Sequence, residues 1–222
     1  MLSPTRPAAA LRRVAGLQLR GTGGRVPGRV WWPSADPTEQ PPPLLLLFHE
    51  RDADVTALCA DLCREVGAVV LASGARHPDD APDPAVFGDA RAVLEWAADH
   101  AADLDADPRR LLVAGAGPGA ALAGGVAMHA RDDWWPAIER QILIHPALDA
   151  WPPSVPYVSA LRSAPLEGLA PATIVSGTAV RTSGARYAAR LRAADVPVEL
   201  VAHADAGGPL PLAAVAATVR TP

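Results

Sequence analysis

Residues 111–120 read LLVAGAGPGA, an apolar run followed by a turn that contains three glycines and then by small residues. The apolar run predicts a buried strand. The glycines predict a tight turn, and the small residues after it predict the start of a helix. In α/β proteins a junction of this kind lies at the carboxyl edge of the sheet, where ligands bind. Enzymes of this class keep a reactive group at such a junction, but its central residue here, Gly117, has no side chain that could react.

The rest of the chain alternates between apolar strands and amphipathic helices. The run from Leu44 to His49 is apolar almost throughout, as expected of a strand buried on both faces of a sheet. Strands separated by single helices predict right-handed crossovers and one doubly wound, mostly parallel sheet. Residues 17–20 and 29–32 predict an antiparallel hairpin before that sheet. We expect a single α/β domain over residues 1–222.

Composition excludes several classes of function. The chain carries a net charge of -4 and no cluster of basic residues, which argues against a nucleic-acid partner. No apolar segment reaches the roughly 18 residues of a membrane span, so we expect a cytoplasmic protein without a membrane partner. Cys59 and Cys63 lie four residues apart with no histidine nearby, which predicts packed, reduced thiols. The sequence indicates neither a metal site nor a cofactor.

The glycine-rich turn also fits a second interpretation. Residues 115–120, GAGPGA, match the Gly-x-Gly-x-x-Ala fingerprint of dinucleotide-binding proteins, in which backbone N–H groups approach a pyrophosphate. That fingerprint normally lies in the first strand–helix–strand unit, and about 20 residues later an acidic residue binds a ribose. Here at least two strands and two helices come first, and the next predicted strand ends at His145. A nucleotide site is therefore a remote alternative.

Four segments occur in the order found in one enzyme family. Residues 44–49 resemble the strand before that family's oxyanion loop, and residues 107–115, DPRRLLVAG, resemble its run into the catalytic turn. Residues 141–149 resemble the strand after the next helix, and residues 187–200 resemble the penultimate helix and last strand. The chain is thus similar to the hormone-sensitive-lipase-like esterases of the α/β-hydrolase superfamily. The resemblance implies the α/β-hydrolase fold.

In those esterases a serine in a Gly-x-Ser-x-Gly turn attacks the ester, assisted by a histidine and a carboxylate. The resemblance places Gly117 at the serine, Gly208 at the histidine and Thr178 in the segment of the carboxylate. Pro118 follows Gly117 and, because it lacks an N–H, removes a donor that would stabilise the oxyanion. We therefore expect a degenerate catalytic triad and a chain that is not a triad-dependent esterase.

The family's oxyanion loop reads His-Gly-Gly-Gly, whereas here His49 is followed by Glu50, Arg51 and Asp52. Charged groups at the end of a buried strand lie where α/β proteins bind ligands, and a glutamate beside a histidine can tune proton transfer. These four residues and His145 are the predicted catalytic groups, although a solvated loop is the simpler interpretation of the charged run. They predict non-hydrolytic chemistry of cyclase, lyase or isomerase type, in bacterial specialised metabolism.

The alternative function is a pseudo-hydrolase that binds a partner or acts as a scaffold. Exposed aromatic side chains are typical interface anchors, and Trp134 and Trp135 lie in a predicted loop. The resemblance implies that most of the family's cap is missing, with residues 150–170 as a residual cap or connector. The predicted lining of the open pocket is aromatic and consists of Trp151, Tyr157, Trp134 and Trp135. We expect a small hydrophobic molecule or a protein as partner.

The last predicted strand is the expected oligomer contact. By resemblance to the family, we expect a homodimer through this strand, from Val198 to Val201, and through the C-terminal helix. His203 and Asp205 follow the strand, where a displaced base and acid could stand. A plain loop is the simpler interpretation of this alanine-rich stretch.

Overall fold

The computed structural model describes residues 11–22, 24–34, 40–50, 54–75, 83–149, 157–158, 161, 164–177, 183–203 and 208–220. The strands in these segments are β1 (Leu11–Gly21), β2 (Gly24–Pro33), β3 (Pro43–Glu50), β4 (Val69–Ala75), β5 (Asp107–Ala116), β6 (Arg140–Ile144), β7 (Ala172–Ser176) and β8 (Val198–Ala202). The α-helices are α1 (Thr56–Val66), α2 (Asp83–Asp99), α3 (Gly119–Asp132), α4 (Ser183–Ala193) and α5 (Leu212–Arg220). None of these described helices combines the length and the hydropathy needed to cross a membrane.

The strands form one sheet in the order β1-β2-β4-β3-β5-β6-β7-β8. β2 pairs antiparallel with both β1 and β4, and the other pairs are parallel. The predicted α/β-hydrolase architecture, a mostly parallel sheet with an antiparallel N-terminal hairpin, is therefore confirmed. β3 lies between β4 and β5, and its leucines at positions 44–47 are fully buried. A strand covered on both faces has no polar positions, which explains the continuous apolar run.

Helices cover both faces of the sheet. Because side chains alternate along a strand, Leu46 and Phe48 of β3 belong to the core cluster on the side of α2, α3 and α4, whereas Leu45 and Leu47 belong to the cluster on the side of α1 and α5. The sheet is doubly wound, as predicted. Its carboxyl edge, where β3, β5, β6 and β7 end side by side, is left for the functional site.

The N-terminal hairpin is longer than the sequence pattern predicts. β1 and β2 stay paired from Gly21 and Gly24 at the turn to Leu11 and Pro33 at the far end. β1 is an edge strand whose side chains are mostly exposed or half-buried. Its length is set by backbone hydrogen bonds to β2, so apolar residues do not mark its ends.

The start of α3 lies against the ends of β5 and β3 with no room for side chains between them. A Cβ on Gly115 would lie 2.3 Å from the carbonyl oxygen of Gly119, and a Cβ on Gly119 would lie 2.2 Å from the carbonyl oxygen of Phe48. Both neighbours are backbone atoms, which cannot move without displacing a whole element. The two outer glycines of the turn are therefore required by the packing of α3 on the sheet.

We expect Gly119→Ala to lower the free energy of unfolding by about 3 kcal/mol, at the upper end for overpacked cores, because its methyl group meets backbone atoms. Gly16→Ala is the matched control, since no described atom lies within 4 Å of a Cβ at that position. Its effect should stay within about 0.5 kcal/mol. Urea unfolding measures both variants, and equal stabilities would contradict the packing argument.

The two cysteines are packed inside the protein. Cys59 and Cys63 lie one turn apart in α1, and both are fully buried and unpaired with each other. Burial raises the pKa of each thiol to about 12. Because the thiolate is the reactive form of cysteine, both side chains are chemically inert in the folded protein.

In the native protein at mildly alkaline pH, neither thiol should react with an aromatic disulfide reagent on the timescale of minutes. Both should react once denaturant exposes them and the pKa returns to its ordinary range. The released thiolate is followed by its absorbance. Stoichiometric release from the folded protein would show that α1 opens or that the thiols lie at the surface.

Candidate active site at the carboxyl edge of the sheet

The turn between β5 and α3 holds its central residue in a left-handed conformation. Gly117 has a φ of 55° and α3 begins at Gly119. The N–H of Gly117 donates to the carbonyl oxygen of Ile144 at 2.9 Å, and its own carbonyl oxygen accepts from the N–H of Ala147 at 3.0 Å. The segment that follows β6 therefore brackets Gly117 and fixes its conformation.

The space above Gly117 is open, in contrast to the crowding at its glycine neighbours. No described atom lies within 4 Å of the position that a Cβ on Gly117 would take. The 14-residue helix α3 begins directly after the turn, and the N-terminus of a helix carries a partial positive charge of about half a proton. A negative charge that develops in the free space above the turn would therefore be stabilised by the N-terminus of α3.

His49, the first predicted catalytic residue, lies beside this turn. It is 9 % exposed at the end of β3, and its Cα lies 3.0 Å from the position of a Cβ on Gly119. Glu50 continues β3 and pairs with β4. The side chain of Glu50 and the whole of Arg51 and Asp52 lie outside the described residues. Of the predicted charged run, the structure therefore places only His49 near the site.

His49 also lines a groove of about 570 Å³ between the β1–β2 hairpin and the start of α1. Arg29 donates to the hydroxyl of Thr56 at 3.3 Å, and the carboxylate of Asp54 accepts from the N–H of Thr56 at 3.0 Å. This backbone hydrogen bond holds the pKa of Asp54 below its ordinary value. Besides His49, the groove is therefore lined by an ionised carboxylate and a cation that are linked through one threonine.

His145, the second predicted histidine, meets His203 at the same edge. The predicted strand over residues 141–145 ends one residue early, because His145 has a φ of 45° and leaves the sheet. Its Nε2 lies 2.8 Å from Nδ1 of His203. His203 follows β8, is 8 % exposed, and donates its backbone N–H to the carbonyl oxygen of Ser176 at 3.0 Å. His203, predicted to lie in a plain loop, is thus buried and hydrogen-bonded to another histidine.

The environment of His145 favours its neutral imidazole. Burial, and then the nearby charge that His203 would carry, lower the pKa of His145 below its ordinary value. At neutral pH His145 is therefore uncharged and able to accept a proton. Sequence reasoning missed the pair, although both histidines come directly after strands that end at one edge of the sheet.

Tyr157, one of the predicted aromatic pocket residues, lies away from the turn. Tyr157 stacks on Phe87 with ring centroids 5.2 Å apart and contacts His129 near the end of α3. His129 comes ten residues after Gly119 in α3, or about 15 Å along the helix axis. The structure therefore places Tyr157 in a separate cavity of about 450 Å³ with Phe87 and His129.

The two tryptophans after α3 are at the surface. Trp134 is 92 % exposed, Trp135 is 45 % exposed, and neither lies against the turn at Gly117 in the described structure. Trp151 lies outside the described residues, as does Thr178. Gly208 lies in a bend before α5, and Pro118 is the residue before the first turn of α3. Within the segments that the structure describes, no three His, Cys, Asp or Glu side chains form a metal-binding group.

Sequence comparison relates the chain to known esterases. Residues 47–155 match a family model described as alpha/beta hydrolase fold. The esterase LipI of Mycobacterium tuberculosis is 31% identical over 169 residues, which cover 73% of this chain and 52% of LipI. The carboxylesterase NlhH of the same organism is 30% identical over 220 residues, covering 79% of this chain and 68% of NlhH. The chain thus spans about half the length of LipI.

Solved structures show the same fold. A Pyrobaculum calidifontis esterase superposes with a TM-score of 0.80 at 23% identity, covering 95% of this chain and 86% of that one. The protein DphMB1 superposes with a TM-score of 0.77 at 30% identity, covering 97% of this chain and 85% of that one. The agreement extends over nearly the whole of the chain, including the elements that form the turn.

These comparisons overturn the functional expectations drawn from single residues. The expected non-hydrolytic cyclase, lyase or isomerase is wrong, because the relatives are named esterases. The same finding contradicts the scaffolding pseudo-hydrolase, the degenerate triad as a sign of lost activity, and the nucleotide site. Although Gly117 has no reactive side chain, the backbone of the turn, its open space and the helix N-terminus are all present. The chain belongs to the α/β-hydrolase family, in the hormone-sensitive-lipase-like branch of esterases.

Proposed function

We propose that this protein hydrolyses carboxylic esters at the turn formed by Gly117. The observation that carries the proposal is the left-handed φ of 55° at Gly117 together with the open space above it. This is the backbone shape that presents a reacting group at the top of an α/β-hydrolase sheet. The names of the relatives LipI and NlhH support an ester as the substrate.

In this proposal the ester carbonyl binds above Gly117, with its oxygen toward the N-terminus of α3. Pro118 has no N–H, and the N–H groups of Ala120 and Ala121 already donate to the carbonyl oxygens of Gly117 and Pro118. In this proposal the dipole of α3 therefore stabilises the negative charge that develops on the oxygen. Hydrogen-bond donors and dipoles aimed at such a charge are the largest contribution to many acyl-transfer reactions.

A water molecule is the nucleophile in this proposal, since Gly117 has no hydroxyl to attack the ester. The space that a serine side chain would need is free of described atoms and has room for that water. Its oxygen bonds to the carbonyl carbon, the bond to the alcohol oxygen breaks, and an acid and an alcohol leave. The reaction therefore proceeds without a covalent acyl-protein intermediate.

The proposed substrates are esters of short acids. Only residues 145–171 connect β6 to β7, and this stretch is too short to fold as a cap domain of its own. The proposed homodimer would use β8, which is the free edge of the sheet in the described structure and exposes 46 % of Leu200.

Turnover of nitrophenyl acetate and butyrate tests the proposal. We expect product release above the buffer rate, without an initial burst, because no acyl-protein accumulates. Intact-protein mass spectrometry during turnover should show the unmodified mass. Absence of turnover with acyl chains of every length would reject ester hydrolysis, and an acylated protein would reject water as the nucleophile.

Gly117→Ser tests whether the ester carbonyl binds above the turn. The side chain has room, and the left-handed conformation costs about 1–2 kcal/mol for a residue with a Cβ. Gly117→Ala is the matched control, because it carries the same backbone cost without a hydroxyl. We expect both variants to fold with similar stability, and only Gly117→Ser to become acylated by a nitrophenyl ester. A folded Gly117→Ser variant that stays unmodified would place the carbonyl elsewhere.

A further inference from the structure

Two histidines from distant parts of the sequence meet beside the turn at Gly117. His145 follows β6 and His203 follows β8, on either side of the end of β7. The nitrogens Nε2 of His145 and Nδ1 of His203 lie 2.8 Å apart, which is a hydrogen bond between imidazoles. One ring donates and the other accepts, so a neutral pair keeps one free lone pair at one of its two outer nitrogens.

The backbone of His145 belongs to the segment that contacts Gly117. Ile144 accepts the N–H of Gly117, and Ala147 donates to the carbonyl oxygen of Gly117. His145 lies between these two residues, in the segment that brackets the turn. Its φ of 45° is unusual for a residue with a side chain, and such backbone conformations are concentrated at functional sites.

The outer nitrogen of His145 is available. Its Nδ1 has no hydrogen-bond partner among the described residues and is not one of the enclosed side-chain atoms that lack a partner. His203, by contrast, is 8 % exposed, and its backbone is fixed by the hydrogen bond to Ser176. His145 is thus the accessible member of the pair, and His203 is the anchored one.

We infer that His145 is the catalytic base that activates the hydrolytic water and that His203 is the positioning residue that orients its imidazole. This inference rests on the proposed ester hydrolysis and names the proton acceptor for it. The position differs from that of Gly208, where the family resemblance expects a histidine.

The proton steps balance. As the water oxygen bonds to the carbonyl carbon, Nδ1 of His145 takes one water proton, and the carbonyl electrons move onto its oxygen beside α3. The proton already on Nε2 of His145 is shared with Nδ1 of His203, which spreads the positive charge over two rings. When the bond to the alcohol oxygen breaks, the alcohol takes up the proton that the pair holds. The pair returns to its neutral state.

Substitutions that imitate single ring nitrogens separate the two roles. His145→Gln keeps a polar group near the position of Nε2 and removes the base. His203→Asn keeps a polar group near the position of Nδ1, whereas His203→Leu removes the hydrogen bond to His145. His100→Gln is the matched control, because His100 stacks on Trp96 at the end of α2, outside the site.

We expect His145→Gln to lower kcat for nitrophenyl acetate by about 100-fold or more, the usual effect of losing a general base, with KM nearly unchanged. His203→Leu should lower kcat by at least about tenfold, and His203→Asn should restore most of that loss. A role in folding alone would not give this recovery. Added imidazole should raise the turnover of His145→Ala, since it supplies the missing base.

The pH profile gives a second readout. Wild-type kcat should rise with one ionisation below the ordinary histidine pKa, because burial and His203 lower the pKa of His145, and should then stay level. Of the described neighbours, Ser176 of β7 carries no charge, and Asp149 in the next turn is paired with Arg186 of α4. His145→Gln should lack this ionisation.

The outcomes separate the two proposals. If the wild type shows no ester turnover, ester hydrolysis is rejected and the base assignment with it. If the wild type is active but His145→Gln stays within about threefold of it with the same pH profile, the inference is overturned and ester hydrolysis stands. Should His145→Gln not fold, the activity of His203→Leu and the response of His145→Ala to imidazole decide the question.

Discussion

The close packing of α3 against the ends of β5 and β3 is the constraint on which the site depends. Gly115 and Gly119 allow backbone atoms to approach to distances that no Cβ would permit. This contact directs the N-terminus of α3 to the carboxyl edge of the sheet and forces the intervening residue into a tight turn. Hydrogen bonds from the segment after β6 then lock that residue, and the same segment carries His145. One packing requirement thus positions the turn, the helix dipole and the histidine.

Much of the fold could be predicted from local sequence. The leucines of β3 indicate a strand covered on both faces, and the alternation of strands and helices predicts the doubly wound sheet. The full length of β1 could not be predicted, because it depends on backbone pairing with β2 and its side chains are largely exposed. The position of the glycine-rich turn could be predicted, since the required glycines are themselves the signal.

The composition of the site was harder to predict. His145 and His203 are 58 positions apart, and only the neighbouring ends of β6, β7 and β8 bring them into contact. The periodicity of a single segment contains no information about such a pair. The charged run after His49 is conspicuous in the sequence, but in the described structure His49 itself is the residue that lies beside the turn. Of the aromatic residues expected above the cleft, Tyr157 lies near the far end of α3, and Trp134 and Trp135 lie at the surface.

The residue at position 117 affects the chemistry at this edge of the sheet but not the packing of the edge. The flanking glycines are required by the packing of α3 on the sheet. The central position has an open side, and backbone hydrogen bonds fix its conformation. A substitution at position 117 therefore changes the nucleophile that the site can provide, while the sheet and the helix stay in place. Lineages that carry this turn can exchange one nucleophile for another through a single codon, with no need to rebuild the scaffold around it.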